Sequence, residues 1–259
     1  MNSLIRKCLA SVMVAGAVLS LQSAQAAQPQ DLKGKNVVLV HGAFADGSSW
    51  EKVIPLLEAR GLHVVAVQNP LSSLADDAAA TKRAIDAQQG PVVLVGHSWG
   101  GVVISQAGND DKVKALVYVA AFAPDSGQSI NDMLKGKPAP VWAGELQKDS
   151  GNFLTLSPKA VTDDFAQDLN PAQKRVVAAT QGPWFAGCID DKVTDAAWHS
   201  KPAYFVVANR DRMIDPRLQD AMAGQIKAKV THVDASHVAM LSKPEAVANA
   251  IIEAAAKAQ

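Results

Sequence analysis

Disulfide stabilisation is the first thing this chain lacks the means for. Only two of its 259 residues are cysteine, Cys8 and Cys188. Cys8 falls in an N-terminal stretch read below as removable, so one thiol remains without a partner and stability must come from a core. Charge of one sign is missing as well: 25 basic residues balance 25 acidic ones. Without a basic excess there is no electrostatic footprint for nucleic acid. No apolar run reaches the roughly 20 residues that span a bilayer, and no two histidines have the spacing of a metal site on one helix, so no metal is expected. Internal repeats and low-complexity blocks are absent too, apart from an alanine-rich C-terminal end.

What is present begins with a leader. Met1 to Ala26 combines basic Arg6 and Lys7, an apolar stretch from Cys8 to Leu21, and the small-residue end Ser23-Ala24-Gln25-Ala26. That pattern is a secretory signal peptide cleaved before Ala27, with Cys8 too early to be a lipoprotein acceptor. The expectation is a periplasmic or secreted protein, not membrane-bound after cleavage. Removing Arg6 and Lys7 leaves 23 basic and 25 acidic residues, a net charge of −2. The rest, Ala27 to Gln259, suits one α/β core, a class that commonly runs to about 250 residues.

The chain is organised around Val92 to Val103. Val92 to Val95 is a β-branched apolar run, as in a strand buried on both faces of a parallel sheet, and an apolar helix follows within a few residues. Ser98 sits on the turn between them, with Gly96 and Gly100 two residues to either side. This is the G-x-S-x-G nucleophile elbow, in which a sharp corner leaves the flanking positions no room for Cβ atoms.

Around it, strands are read at Asn36–Val40, His63–Val67, Val113–Ala120, Ala203–Ala208 and Lys229–Asp234. Helices are read at Trp50–Arg60, from Ser73 to about Gln88, from Pro216 to about Ile226, and at Pro244–Lys257. Six strands alternating with helices imply an α/β fold with a mainly parallel, doubly wound sheet. Positions 27–124 and 203–259 form that core. Positions 125–202 are too long for one crossover and are read as a helical cap inserted over the carboxyl ends of the strands, with helices near Asp163–Leu169 and Ala172–Thr180.

A serine hydroxyl needs a base in reach and a carboxylate to orient that base. Asp211 follows the strand Tyr204–Ala208 and His237 follows the last strand, so both leave the sheet edge that carries Ser98, in the chain order Ser, Asp, His. Asp215 competes with Asp211, but Asp215-Pro216 reads as an N-cap with proline at the first helical position. His41 and His97 are read as shaping loops, His63 and His232 as strand residues, and His199 as a solvated position where the cap rejoins the core. The amide of Trp99, with that of Ala43 or Phe44, supplies the oxyanion hole. Trp142, Trp184 and Trp198 fall in the cap and either line a pocket or form the cap's own core. Arg210 and Arg212 either meet a substrate carboxylate or are solvated loop charges. Cys188 is read as a small buried residue.

The segments LVHGAF, GHSWGG, NRDRMIDP and SHVAMLSKP resemble the α/β-hydrolase superfamily, in particular its branch of small esterases and hydroxynitrile lyases that includes the plant salicylate methyl ester esterases. The resemblance implies Ser98 as nucleophile, His237 as base, Asp211 as orienting acid, Ala43 with Trp99 as oxyanion donors, and no cofactor. Lyases of that branch carry a lysine after the catalytic histidine and a threonine in the first turn. Val238 and Gly42-Ala43 stand here instead, so the implied reaction is hydrolysis of a small apolar or aromatic ester through an acyl-enzyme. Lyase or perhydrolase chemistry on the same residues, and a non-catalytic binding protein on this scaffold, are the alternatives. The expected partner is a small-molecule ester, and pairing with a second copy as a homodimer stays open.

Overall fold

The structure, a computed structural model, describes residues 32–258. The leader therefore lies outside the described residues. Strands β1 (Asn36–Val40), β2 (His63–Val67), β3 (Val92–His97) and β4 (Val113–Val119) are followed, beyond a long insertion, by two more strands that complete a six-stranded parallel sheet. Its inner strands β1, β3 and β4 are apolar and almost wholly buried, as a sheet covered on both faces requires. The edge strand β2 shows more exposed residues.

The helices of the first half start and stop where the sequence says, with one exception. α1 covers only Ile54–Glu58, preceded by a 3₁₀ turn at Gly47–Trp50. Pro55 is tolerated in a first turn and not in a helix interior, so the expected Trp50–Arg60 helix is broken into two pieces. α2 (Leu74–Asp86) begins at Ser73, whose hydroxyl accepts the Asp76 amide at 3.0 Å. α3 (Gly100–Ala107) is the helix of the elbow, and it packs against α2.

The insertion between β4 and the next sheet strand is less helical than its sequence suggests. It holds α4 (Ile130–Leu134), then β5 (Leu146–Lys148) and β6 (Phe153–Leu156), then α5 (Pro158–Ala160) running into a π turn at Val161–Phe165. α6 (Pro171–Ala179) and β7 (Trp184–Phe185) follow. β5, β6 and β7 form a small antiparallel sheet that the periodicity does not reveal, since strands of two to four residues are too short to show alternation.

The chain then rejoins the sheet with β8 (Ala203–Ala208), α7 (Pro216–Gln225), β9 (Lys229–Val233), the short α8 (Ala239–Ser242) and α9 (Pro244–Lys257). The strand order is β2-β1-β3-β4-β8-β9. α9 lays a stripe of Val247, Ile251, Ala254 and Ala255 against the sheet and packs with α1. Because β1 starts mid-sheet and the chain winds outward in both directions, the carboxyl ends of β1, β3, β8 and β9 open on one edge. That edge is where α/β sheets bind ligands.

Candidate active site

Ser98 follows the last residue of β3 and has φ +53°, a left-handed conformation that a non-glycine residue adopts only when its surroundings enforce it. The enforcement is visible: its amide donates to Val119 O, while its carbonyl accepts from Phe122 N and Gly101 N. The turn after β1 presses against it so closely that a Cβ at Gly42 would lie 2.7 Å from Ser98 Cβ. Only glycine permits that approach. The amides of Ala43, Phe44 and Trp99 have no acceptor among the described residues, so they are left free beside this turn.

Asp211 and His237 meet in the interior. The loop after β8 brings Asp211 under the loop after β9, and His237 Nδ1 donates to Asp211 Oδ2 at 2.8 Å with both side chains almost completely buried. Asp211 Oδ1 accepts the amides of Met213 and Ile214 at 2.7 and 3.0 Å, which fixes the carboxylate plane. With Oδ2 accepting from Nδ1, the pair holds the imidazole in the tautomer that carries its proton on Nδ1 and leaves Nε2 with its lone pair free. Ser98 and His237 line the same cavity. The Ser98 hydroxyl makes no hydrogen bond among the described residues, and such contacts commonly tighten only when substrate is bound.

That cavity measures about 490 Å³. Ser98, His237, Ala43, Phe44 and Trp99 form its floor, and Phe122, Trp142, Trp184, Ile189 and Met213 are among its apolar walls. Lys137, Asp215 and Arg217 are its charged members, with Arg217 paired to Asp215 at 2.6 Å on the exposed side. A concave, largely apolar space with a few convergent polar groups is the usual form of a small-molecule site.

A model of the alpha/beta hydrolase family matches residues 37–250. The chain belongs to the alpha/beta hydrolase family. Salicylic acid-binding protein 2 of Nicotiana tabacum is 27% identical over 264 residues, covering 87% of this chain and 98% of that protein. An alpha-hydroxynitrile lyase of Arabidopsis thaliana is 26% identical over 237 residues, covering 80% and 92%. Among solved structures, a pyrethroid hydrolase from Sphingobium faniae JZ-2 superposes with a TM-score of 0.74 at 22% identity, covering 86% of this chain and 98% of that one. Relatives with both hydrolase and lyase names thus share the fold, and it is the site's own residues that must separate the chemistries.

Two further histidines of this alpha/beta hydrolase frame the site without facing its cavity. His97 Nε2 donates to the carbonyl of His237 at 3.0 Å, and its ring lies 4.6 Å from that of His237. Burial, and then the neighbouring His237, hold its pKa well below the usual histidine value, so it stays neutral and keeps this tautomer. His41 Nδ1 donates to Gly42 O at 2.9 Å while its Nε2 accepts the Asn69 amide at 2.9 Å. Burial lowers its pKa too, and protonating it would remove the acceptor that Asn69 uses.

Trp99 is anchored from behind by a buried carboxylate on α2. Its indole donates to Asp77 Oδ2 at 2.7 Å, and Asp77 Oδ1 accepts the Leu71 amide at 2.7 Å. The signal was there: Asp77 falls on the buried stripe Leu74, Asp77, Ala80, Thr81 of α2. Burial pushes its pKa up to about 6 despite both donors. A carboxyl with a raised folded-state pKa stabilises the fold below its unfolded value, near 4, and loses that contribution as pH rises through about 6. The pH-dependent part is on the order of 3 kcal/mol at full shift. Between pH 4 and 7 the unfolding free energy of the wild type is therefore expected to fall more steeply than that of Asp77→Asn. Denaturant titrations with parallel slopes for the two proteins would contradict this.

Of the three tryptophans in the insertion, Trp142 and Trp184 line the cavity. Trp142 donates to Met213 O at 3.2 Å, and Trp184 packs on Phe44 and Trp99 with ring centroids 5.9 and 5.5 Å apart. Trp198 does not reach it: its indole donates to Pro124 O and its ring stacks on His199, itself bonded to Asp125. The expectation of a substrate contact there is corrected, because the return of the insertion to β8 runs along the core and away from the opening. Arg210 and Arg212 also point elsewhere, to Asp234 and to the Asp163 carbonyl. Asp215 caps α7 by accepting the Arg217 amide at 2.9 Å. Cys188 is a buried free thiol whose pKa burial raises to about 12, which leaves it unreactive.

The insertion is tied to the loops that carry Asp211 and His237. Gln167 Nε2 donates to Arg210 O at 2.6 Å, Asp168 Oδ2 accepts the Ser236 amide at 2.8 Å, and the Phe165 ring lies 5.2 Å from that of His237. None of these contacts carries a sequence motif.

Proposed function

We propose that this alpha/beta hydrolase is a serine carboxylesterase that cleaves small apolar or aromatic esters through an acyl-enzyme. The observation that carries the reading is the buried His237–Asp211 pair opening, together with a strained Ser98, on one apolar cavity. Ser98 Oγ attacks the ester carbonyl as His237 Nε2 takes its proton, and the alcohol leaves with that proton. Water then attacks the acyl group on Oγ, again giving a proton to His237, and the acid is released. The oxyanion formed in each step sits on the amides of Trp99 and of Ala43 or Phe44, each donor being worth about 3 kcal/mol of barrier.

The lyase alternative needs a cation beside the histidine, and Val238, a buried apolar residue, takes that position. In this reading 27–124 and 203–259 are the core, 125–202 is the cap, and Met1–Ala26 directs export to the periplasm or beyond. The pocket walls favour an apolar acyl or alcohol group, with Trp142 and Trp184 as the contact surfaces.

The test is covalent labelling. A fluorophosphonate is expected to modify the protein once, on the peptide containing Ser98, and to stop turnover of an aryl ester in proportion. A protein that stays unlabelled and inert to aryl, methyl and lactone esters would be a binding protein on this scaffold. Cyanide release from a cyanohydrin without ester turnover would move the assignment to the lyases.

A further inference from the structure

The acid of the proposed catalytic set has a fourth donor that no motif announces. Gln219 lies on the buried face of α7 together with Met222 and Ala223 and has no solvent exposure. Its Nε2 donates to Asp211 Oδ2 at 2.8 Å and to Ile214 O at 2.9 Å, while its Oε1 accepts the Ala208 amide at 3.1 Å. Every bonding position of the amide that faces the loop is used, so its orientation is determined: oxygen to the end of β8, nitrogen to the carboxylate. An amide placed on an otherwise apolar helix stripe costs stability unless it is fully paired. Here the pairing ties three points of one loop, Ala208, Asp211 and Ile214, to the first turns of α7.

We propose that Gln219 is the positioning residue of the reaction, holding Asp211 Oδ2 where it meets the His237 imidazole. The inference rests on the esterase reading of the site, and it adds a residue to it. Oδ2 is the oxygen that both Gln219 and His237 use, whereas Oδ1 is occupied by the Met213 and Ile214 amides. Without Gln219 the carboxylate keeps its backbone donors but loses the one that limits how strongly Oδ2 draws the imidazole proton. The other titratable groups close to this pair among the described residues are His97, held neutral by burial, and Asp168, whose carboxylate accepts the Ser236 amide beside His237, and both are unchanged in the variant. The change therefore falls on His237 itself: the imidazolium becomes more favourable, and the imidazole is less precisely aimed at Ser98.

The experiment compares Gln219→Leu and Gln219→Glu with wild type. Turnover of an aryl ester is followed across pH, along with thermal unfolding and the His237 imidazole titration in ¹⁵N-histidine-labelled protein. Gln219→Leu is expected to lower kcat at least tenfold with KM unchanged, and to move both the acid limb of kcat/KM and the imidazole midpoint to higher pH. Gln219→Glu is expected to show a larger deficit against wild type at pH 8 than at pH 6, because its protonated carboxyl can again donate to Asp211. An unmoved imidazole midpoint in folded protein, or a rate loss that only tracks the unfolded fraction, overturns the proposal. The imidazole titration needs no turnover, so it reports on Gln219 even if wild type hydrolyses no ester, an outcome that would count against the esterase reading alone.

Discussion

Ser98→Ala is expected to remove essentially all ester turnover, a loss of about a millionfold in kcat when a nucleophile acting as one unit with its base is deleted, while the protein stays folded and at least as stable. The two halves of that expectation have separate causes. On the proposed esterase reading, turnover disappears because the remaining backbone donors and pocket walls can bind an ester but have no atom to acylate. Stability survives because the hydroxyl has no hydrogen-bond partner among the described residues, so its removal orphans nothing. Alanine keeps the Cβ, and with it the contact to the turn at Gly42 and the strain at φ +53°. Circular dichroism, thermal unfolding and aryl-ester assays on one preparation check both halves. Persistent turnover would reject Ser98 as nucleophile, and a large drop in melting temperature would show that the hydroxyl carries a structural contact.

Gly96→Ala is expected to do the opposite, damaging the fold first. A Cβ there would stand 2.4 Å from Gly100 O, 2.6 Å from Gly100 C and 2.8 Å from Gly101 N. All three are backbone atoms of the first turn of α3, so no side chain can swing aside. β3 is buried along its whole length and paired on both sides, to β1 and to β4, and it cannot retreat either. Relief requires the helix to move away from the strand, which opens the close packing between them. The cost is about 3 kcal/mol or more for such overpacking, which lowers the melting temperature by roughly 10 °C in a domain of this size. The turn that presents Ser98 widens with it, so the surviving folded fraction is expected to turn over slowly. A Gly96→Ala protein with wild-type melting behaviour would mean that strand and helix are less tightly joined than these distances require.

Most of the sheet was legible because its signals are local. Asn36–Val40 and Val92–Val95 are continuous β-branched runs, Ser73 and Asp215 are strong caps, and the elbow glycines announce a corner. The core positions of Ser98, Asp211 and His237 followed from the same logic, since each comes directly after a strand and parallel strands end on one edge. What stayed hidden depends on contacts between distant parts of the chain. The antiparallel strands β5 to β7 pair across up to some thirty intervening residues. Trp184 faces the cavity and Trp198 does not, although both are tryptophans in one insertion, because orientation is set by how the insertion packs. Asp77 and Gln219 are intermediate cases. Each breaks an apolar helical stripe with a group that must find a partner, which is a readable signal, but the partner's identity is written elsewhere.

The ties from Gln167 and Asp168 to the loops of Arg210 and Ser236 bear on how such insertions diversify. An insertion stapled to the very loops that hold Asp211 and His237 is not an interchangeable part. Transplanting a relative's insertion to alter substrate range would strip two backbone groups of their partners unless an amide and a carboxylate came along at the same places. Variation is easier to accommodate at the other end, around Ile130 and Leu134, which line the cavity and make no hydrogen bond to those loops among the described residues.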